Sequence, residues 1–175
     1  MFRRRTDCCN RRVILYLAIP LLFAAYTTPT SSQLASHPVA ASGVRACAVV
    51  TKADVVQVLG MAIEKGEEQV EESTSTCNYA RREGLVSVMV QRAKRKLNVE
   101  AEIAALKASI PDSAVRKVTG LGARAFFLDI PGAGTQLYVI HGESDFLMVS
   151  VLGFGEASQV SPAAKTLARK ALGRL

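Results

Sequence analysis

Three groups of residues carry side chains capable of chemistry, and their spacing decides what each can do. Cys47 and Cys77 lie about 30 residues apart, and beyond the N-terminal segment they are the only thiols. They lack the C-x-x-C spacing of a redox dithiol. An even thiol count in a chain that leaves the cytoplasm is the pattern of a structural disulfide. Closing that loop removes entropy from the unfolded chain and stabilises the fold by roughly 3 to 4 kcal/mol.

The other two groups dissolve on inspection. Gly120-Leu121-Gly122-Ala123-Arg124-Ala125 matches G-x-G-x-x-A, which grips a pyrophosphate only when its amides open a helix. Here Ala125-Phe126-Phe127-Leu128 follows and reads as a strand, so the glycines predict a turn. His141, Ser144 and Asp145 supply the residue types of a hydrolytic triad. Neighbours in one tight turn cannot form the nucleophile, base and acid relay, and no nucleophile elbow accompanies them. His141 is the single histidine after the N-terminal segment, which excludes a multi-histidine metal centre, and the carboxylates have no EF-hand spacing. No catalytic, cofactor or metal-ligating residue is assigned from the sequence.

The elements that position these residues follow from periodicity and caps. Thr51 with Asp54 forms an N-terminal capping pattern for a helix whose apolar face is Val55, Val56, Val58 and Leu59, and Gly60 stops it. A second helix runs from Asn98 to Ile110, burying Val99, Ile103, Leu106 and Ile110, with Pro111 after it. A third starts at Ser161-Pro162 with a stripe of Ala164, Leu167, Ala168, Ala171, Leu172 and Leu175, and Gly173 frays its end. Strands are predicted at 75–80, 85–93, 125–130, 135–140 and 146–152, with a polar edge strand within 62–72. The short loops between them join antiparallel neighbours. The fold class is α+β: an antiparallel sheet of five to six strands with three helices packed mainly on one face, in a single domain over 47–175. The order suggests two αβββ-like halves closed by the last helix.

Export is written into the N-terminus. Five arginines within the first 12 residues precede the charge-free run Val13 to Tyr26, which is the charged and apolar organisation of a secretory leader. At 14 residues the run is short for a bilayer span, which needs about 20. Residues 1–26 are therefore a signal peptide or an N-terminal anchor, and 27–46, rich in Ser, Thr, Pro and Ala, form a flexible linker that includes a solvated His37. Cys8 and Cys9 belong to the leader, next to the membrane if it is retained. Val44-Arg45-Ala46-Cys47 is no lipobox, because it carries an arginine and lies far behind the apolar run.

The net charge of +7 invites a nucleic-acid reading until it is located. Five arginines and one aspartate sit in the leader, and the residues after Tyr26 are close to balanced, at about +3. Arg92-Ala93-Lys94-Arg95-Lys96 is answered by Glu64, Glu67, Glu68, Glu71 and Glu72, and neither run interleaves the aromatics that stack bases. Nucleic acid is not an expected partner.

Cys47-Ala48-Val49-Val50-Thr51 with Asp54 and Leu59-Gly60, followed by Cys77-Asn78-Tyr79 and Gly120-Leu121-Gly122-Ala123-Arg124-Ala125, resembles small exported bacterial proteins and lipoproteins of unassigned function. In that family two cysteines bracket the first helix and a G-L-G-x-x-A turn leads into the later strands. The resemblance spans Cys47 to Leu175 and implies export and the disulfide, with no catalytic residues to carry over. This chain departs from the lipoprotein members in lacking a lipobox.

Taken together, the residues point to an exported, periplasmic or secreted, non-enzymatic module with no cofactor. It binds a small ligand or an envelope protein through its sheet or loops, and touches membrane only through an uncleaved N-terminal segment. The alternative is an envelope enzyme or enzyme inhibitor whose site gathers distant residues around Arg124 or His141. A purely structural role is the third reading. An exposed apolar groove favours the first; a deep pocket of perturbed acids favours the second.

Overall fold

A computed structural model describes residues 43–93, 97–122 and 124–175. The leader, Cys8, Cys9, His37, most of the linker, Lys94 to Lys96 and Ala123 lie outside the described residues. These described residues belong to one compact unit. Its elements are α1 (Ala46–Val49), α2 (Lys52–Leu59), β1 (Glu67–Glu71), β2 (Thr74–Arg81), β3 (Gly84–Arg92), α3 (Val99–Ser109), β4 (Ala114–Lys117), β5 (Arg124–Ile130), β6 (Gly134–His141), β7 (Asp145–Leu152) and α4 (Ala157–Leu172).

The strands form one antiparallel sheet in the order β1-β2-β3-β7-β6-β5-β4. Two meanders, β1 to β3 and β4 to β7, are joined where β3 pairs with β7 from Leu85 opposite Leu152 to Arg92 opposite Asp145. Alternation along these strands sends Val86, Val88 and Val90 of β3 and Leu147, Val149 and Val151 of β7 to one face. There α1, α2 and α4 cover them. On the opposite face Phe126, Leu128, Tyr138, Ile140 and Phe146 form a second cluster beneath α3.

The α+β class agrees with the sequence, while the counts and layering need correction. Among the described residues the sheet has seven strands rather than five or six, and there are four helices rather than three. The additions, α1 and β4, are four residues each, too short to show a period. The helices are split between the faces, three on one and α3 alone on the other. Two equivalent αβββ halves are also ruled out, because the second meander has four strands and its preceding helix lies across the opposite face from α2.

Local signals explain the helix ends. Thr51 and Asp54 complete the expected capping box, with Thr51 N–H donating to Asp54 Oδ2 at 2.9 Å, and Gly60 takes the left-handed conformation that ends α2. Asn98 Oδ1 accepts from Ala101 N–H at 3.1 Å and starts α3 as expected. The last helix begins earlier than the Ser161-Pro162 pair suggested. Gln159 accepts from Glu156 N–H at 3.0 Å at the true start, and Ser161 turns its hydroxyl back to the Ala157 carbonyl at 2.5 Å. Pro162 is thus inside α4, where the carbonyl it cannot serve belongs to exposed Ser158. Gly134 opens β6 with φ +129°, and a Cβ there would collide with the Val151 carbonyl, so only glycine fits.

Burial differs sharply between the two faces. Ala164, Leu167, Ala168 and Ala171 of α4 are wholly buried, the alanines letting the helix lie close to the sheet. The stripe of α3, expected to be buried, is only half-buried; Val99, Ile103, Leu106 and Ile110 pack over the second cluster, but no α3 residue is fully covered. The terminal Leu175 is exposed. We expect Leu167→Ala to destabilise the protein by about 2 to 5 kcal/mol and Leu106→Ala by about 1 kcal/mol or less, read from urea unfolding midpoints. Equal losses would contradict this difference between the faces.

Candidate functional site

The half-covered face holds an open groove. Because α3 packs over β5 and β6 with bulky side chains beneath it, a gap of about 660 Å³ opens between its first turns and the β4–β5 edge. Val99 and Ile103 line it from the helix, and Val115 and Phe126 from the sheet. Its floor is stiffened by aromatics: the Phe126 and Tyr138 rings stack with centroids 5.0 Å apart, and Phe146 tilts against Tyr138 at 5.6 Å. Tyr138 donates its hydroxyl to Gln136 Oε1 at 2.7 Å, and burial pushes its phenol up to about 12.

The groove also carries charge. Lys117, at the end of β4, and Arg124, at the start of β5, line it together with Glu100 from the first turn of α3. Arg124 Nη2 donates to the Gly142 carbonyl, which ties the guanidinium to the β6–β7 turn. Lys117 is exposed and has no carboxylate partner among the described residues. The connection entering α3 is held by Leu97 N–H to Glu143 O at 3.3 Å, and the one leaving it by Ser113 Oγ to Ile110 O at 2.6 Å.

The sequence-derived candidates are placed elsewhere or do structural work. Cys47 and Cys77 are joined in a disulfide with Cα atoms 5.1 Å apart. Cys47 lies within α1, so the bridge fastens that short helix, rather than α2 directly, to β2. The fastening is reinforced: Ala46 N–H donates to Ser75 Oγ at 2.9 Å, Arg45 pairs with Glu68 at 2.6 Å, and Tyr79 donates its hydroxyl to the Val50 carbonyl at 2.5 Å. Gly120 and Gly122 have φ of +77° and +92° in the β4–β5 loop, which leads into a strand and opens no helix. His141 and Asp145 face each other across the β6–β7 turn, and Asp145 Oδ1 accepts from Arg92 Nε at 3.1 Å, so the two do not form a relay with Ser144.

Sequence reasoning missed the strongest ionic contacts. Asp54, almost fully buried, receives Arg174 Nη1 at 2.5 Å and Lys170 Nζ at 3.1 Å, and Arg174 also donates to the Val49 carbonyl at 2.8 Å. The Arg174 guanidinium holds the Asp54 carboxyl far below the usual carboxylate range, with the Thr51 and Lys170 donors adding to the effect against burial. On β4 and β5, Arg116 pairs with Asp129 at 2.5 Å, lies 4.7 Å over the Phe127 ring and reaches Ser161 Oγ at 2.8 Å. Arg45 likewise lowers Glu68. The carboxylates whose titration is shifted are thus each matched to an arginine on the α4 side of the sheet, and none of them lines the groove. Among the described residues, no three His, Cys, Asp or Glu side chains are grouped to hold a metal ion. No described helix is long and apolar enough to cross a membrane.

The Asp54 clasp has a pH signature. A carboxyl whose folded pKa lies below its unfolded value of about 3.9 contributes its full stabilisation above that value, and loses it as pH falls through the folded pKa. Asp54→Asn should therefore lower stability at pH 7 and flatten its fall between about pH 4 and 2, seen as converging urea midpoints. Parallel curves for the two proteins would contradict the clasp. Neither a protein-family model nor a curated protein nor a solved structure matches this chain.

Proposed function

We propose that this chain is an exported, disulfide-stapled binding module without catalytic activity, and that its ligand is a small molecule whose apolar part is seated between α3 and the β4–β5 edge. The observation that carries the reading is the groove itself. Its volume of about 660 Å³ falls in the range of sites that take one small ligand, and its walls are Val99, Ile103, Val115 and Phe126. The wall formed by α3 has no fully buried residue, so it can yield to admit a ligand while the α4 face keeps the fold.

Two further features support the reading. The basic and apolar leader is that of an exported chain, and the Cys47–Cys77 bridge suits an oxidising compartment. The carboxylates with displaced titration are occupied by arginines away from the groove, where an enzyme or inhibitor built on perturbed acids would gather them.

Binding is tested with Nile red, a neutral apolar dye, titrated into the full chain. We expect saturable fluorescence at one site, weakened at least tenfold by Val115→Trp, which fills the groove from a strand position that tolerates an aromatic. Non-saturable uptake, or unchanged affinity in a Val115→Trp protein with native circular dichroism, would overturn the reading. Export is tested by intact mass of the protein from the envelope fraction of its host. A mass lacking the leader, with alkylation only after reduction, is expected; full-length protein with free thiols would refute export.

A further inference from the structure

We propose that the occupant of this groove is a long-chain carboxylate, a single-chain anionic amphiphile whose head sits between Lys117, Arg124 and the start of α3. The inference rests on the binding reading above and adds the chemistry of the ligand. Apolar walls alone would accept any hydrophobic molecule, but this groove has a chemically distinct end.

Three positive features converge there. Lys117 contributes an ammonium that no carboxylate among the described residues neutralises. Arg124 is oriented by its bond to the Gly142 carbonyl, and the remaining N–H groups of its fork have no acceptor among the described residues. The third is the N-terminus of α3, an 11-residue helix that places Asn98, Val99 and Glu100 on the groove. Asn98 satisfies only the Ala101 and Glu102 amides there, through its side chain and its carbonyl. The Val99 and Glu100 amides precede the first intrahelical bonds, and the helix dipole favours an anion at this end. Glu100 is the opposing charge, one carboxylate against two cations and a helix end.

The apolar walls then fix the rest of the molecule. Val99 and Ile103 lie one helical turn apart on one side, with Val115 and Phe126 opposite, so the apolar surface leads away from the charged end along α3. A compact anion such as free acetate would leave that surface wet. A neutral chain would leave Lys117 and Arg124 without their counter-charge on closing. A chain with a carboxylate at one end satisfies both.

The test is displacement of Nile red from the full chain by dodecanoate, dodecanol and acetate. We expect dodecanoate to displace the dye at a concentration at least tenfold lower than dodecanol, and acetate not to displace it. In Lys117→Gln the preference for dodecanoate over dodecanol should collapse towards one, and in Glu100→Gln it should increase. Equal displacement by acid and alcohol would overturn the head-group assignment and leave the apolar groove standing. Failure of every chain compound to displace the dye would overturn the groove as the site. Displacement by acetate as effective as by dodecanoate would show a bare anion site and refute the amphiphile.

Discussion

The pairing of β3 with β7 is the constraint on which the rest of this structure depends. It joins strands separated by more than 50 residues, in register from Leu85 opposite Leu152 to Arg92 opposite Asp145, and welds two independent meanders into one seven-stranded sheet. Each meander alone would expose an edge and half a hydrophobic face. Once joined, the valines of β3 and β7 form the centre of a core wide enough for α4 to lie across. The final helix then closes the fold onto its beginning, because Arg174 and Lys170 reach Asp54 and Arg174 reaches the carbonyl of Val49. The Cys47–Cys77 bridge anchors the same N-terminal segment to β2 from the other side.

A sheet has two faces, and this chain treats them unequally. One face is sealed by α1, α2 and α4 with full burial, a disulfide and the Asp54 clasp, so most of the stability resides there. The other receives only α3, whose side chains rest half-buried on Phe126, Tyr138 and Phe146. Large aromatics beneath a lightly held helix leave space rather than fill it. The groove is the direct consequence, and its charged end arises because β4 finishes at Lys117 and β5 begins at Arg124 beside the start of α3. Local opening is easiest where the fewest contacts must break, and the proposed ligand site lies at the element best able to move.

Much of the fold was legible in the sequence because it is locally encoded. Thr51, Asp54 and Gly60 bounded α2, Asn98 started α3, and the alternation of Val86, Val88 and Val90 announced β3. Four-residue α1 and β4 carry no period, and the Ser161-Pro162 pair mimicked a helix start because Ser161 bonds backward within α4. The stripe of α3 gave its inward face, but its degree of burial depends on how the sheet beneath is shaped. The groove is the least legible feature. Arg124 was visible in a glycine-rich motif and Val99 and Ile103 in a helical stripe, yet their meeting with Val115 and Lys117 depends on β4, which local pattern did not reveal. For the same reason Asp54 could be read as a cap but not as the partner of Arg174, 120 residues away.

The most direct test of a ligand site built by a weakly held helix is amide hydrogen exchange on the full chain, with and without dodecanoate. We expect the amides of Val99–Ser109 to exchange on the order of a hundredfold faster than those of β3 and β7, and to slow on ligand binding together with those of β4, while α4 is unchanged. Exchange of α3 as slow as that of β7, or protection that ligand leaves unaltered, would contradict it.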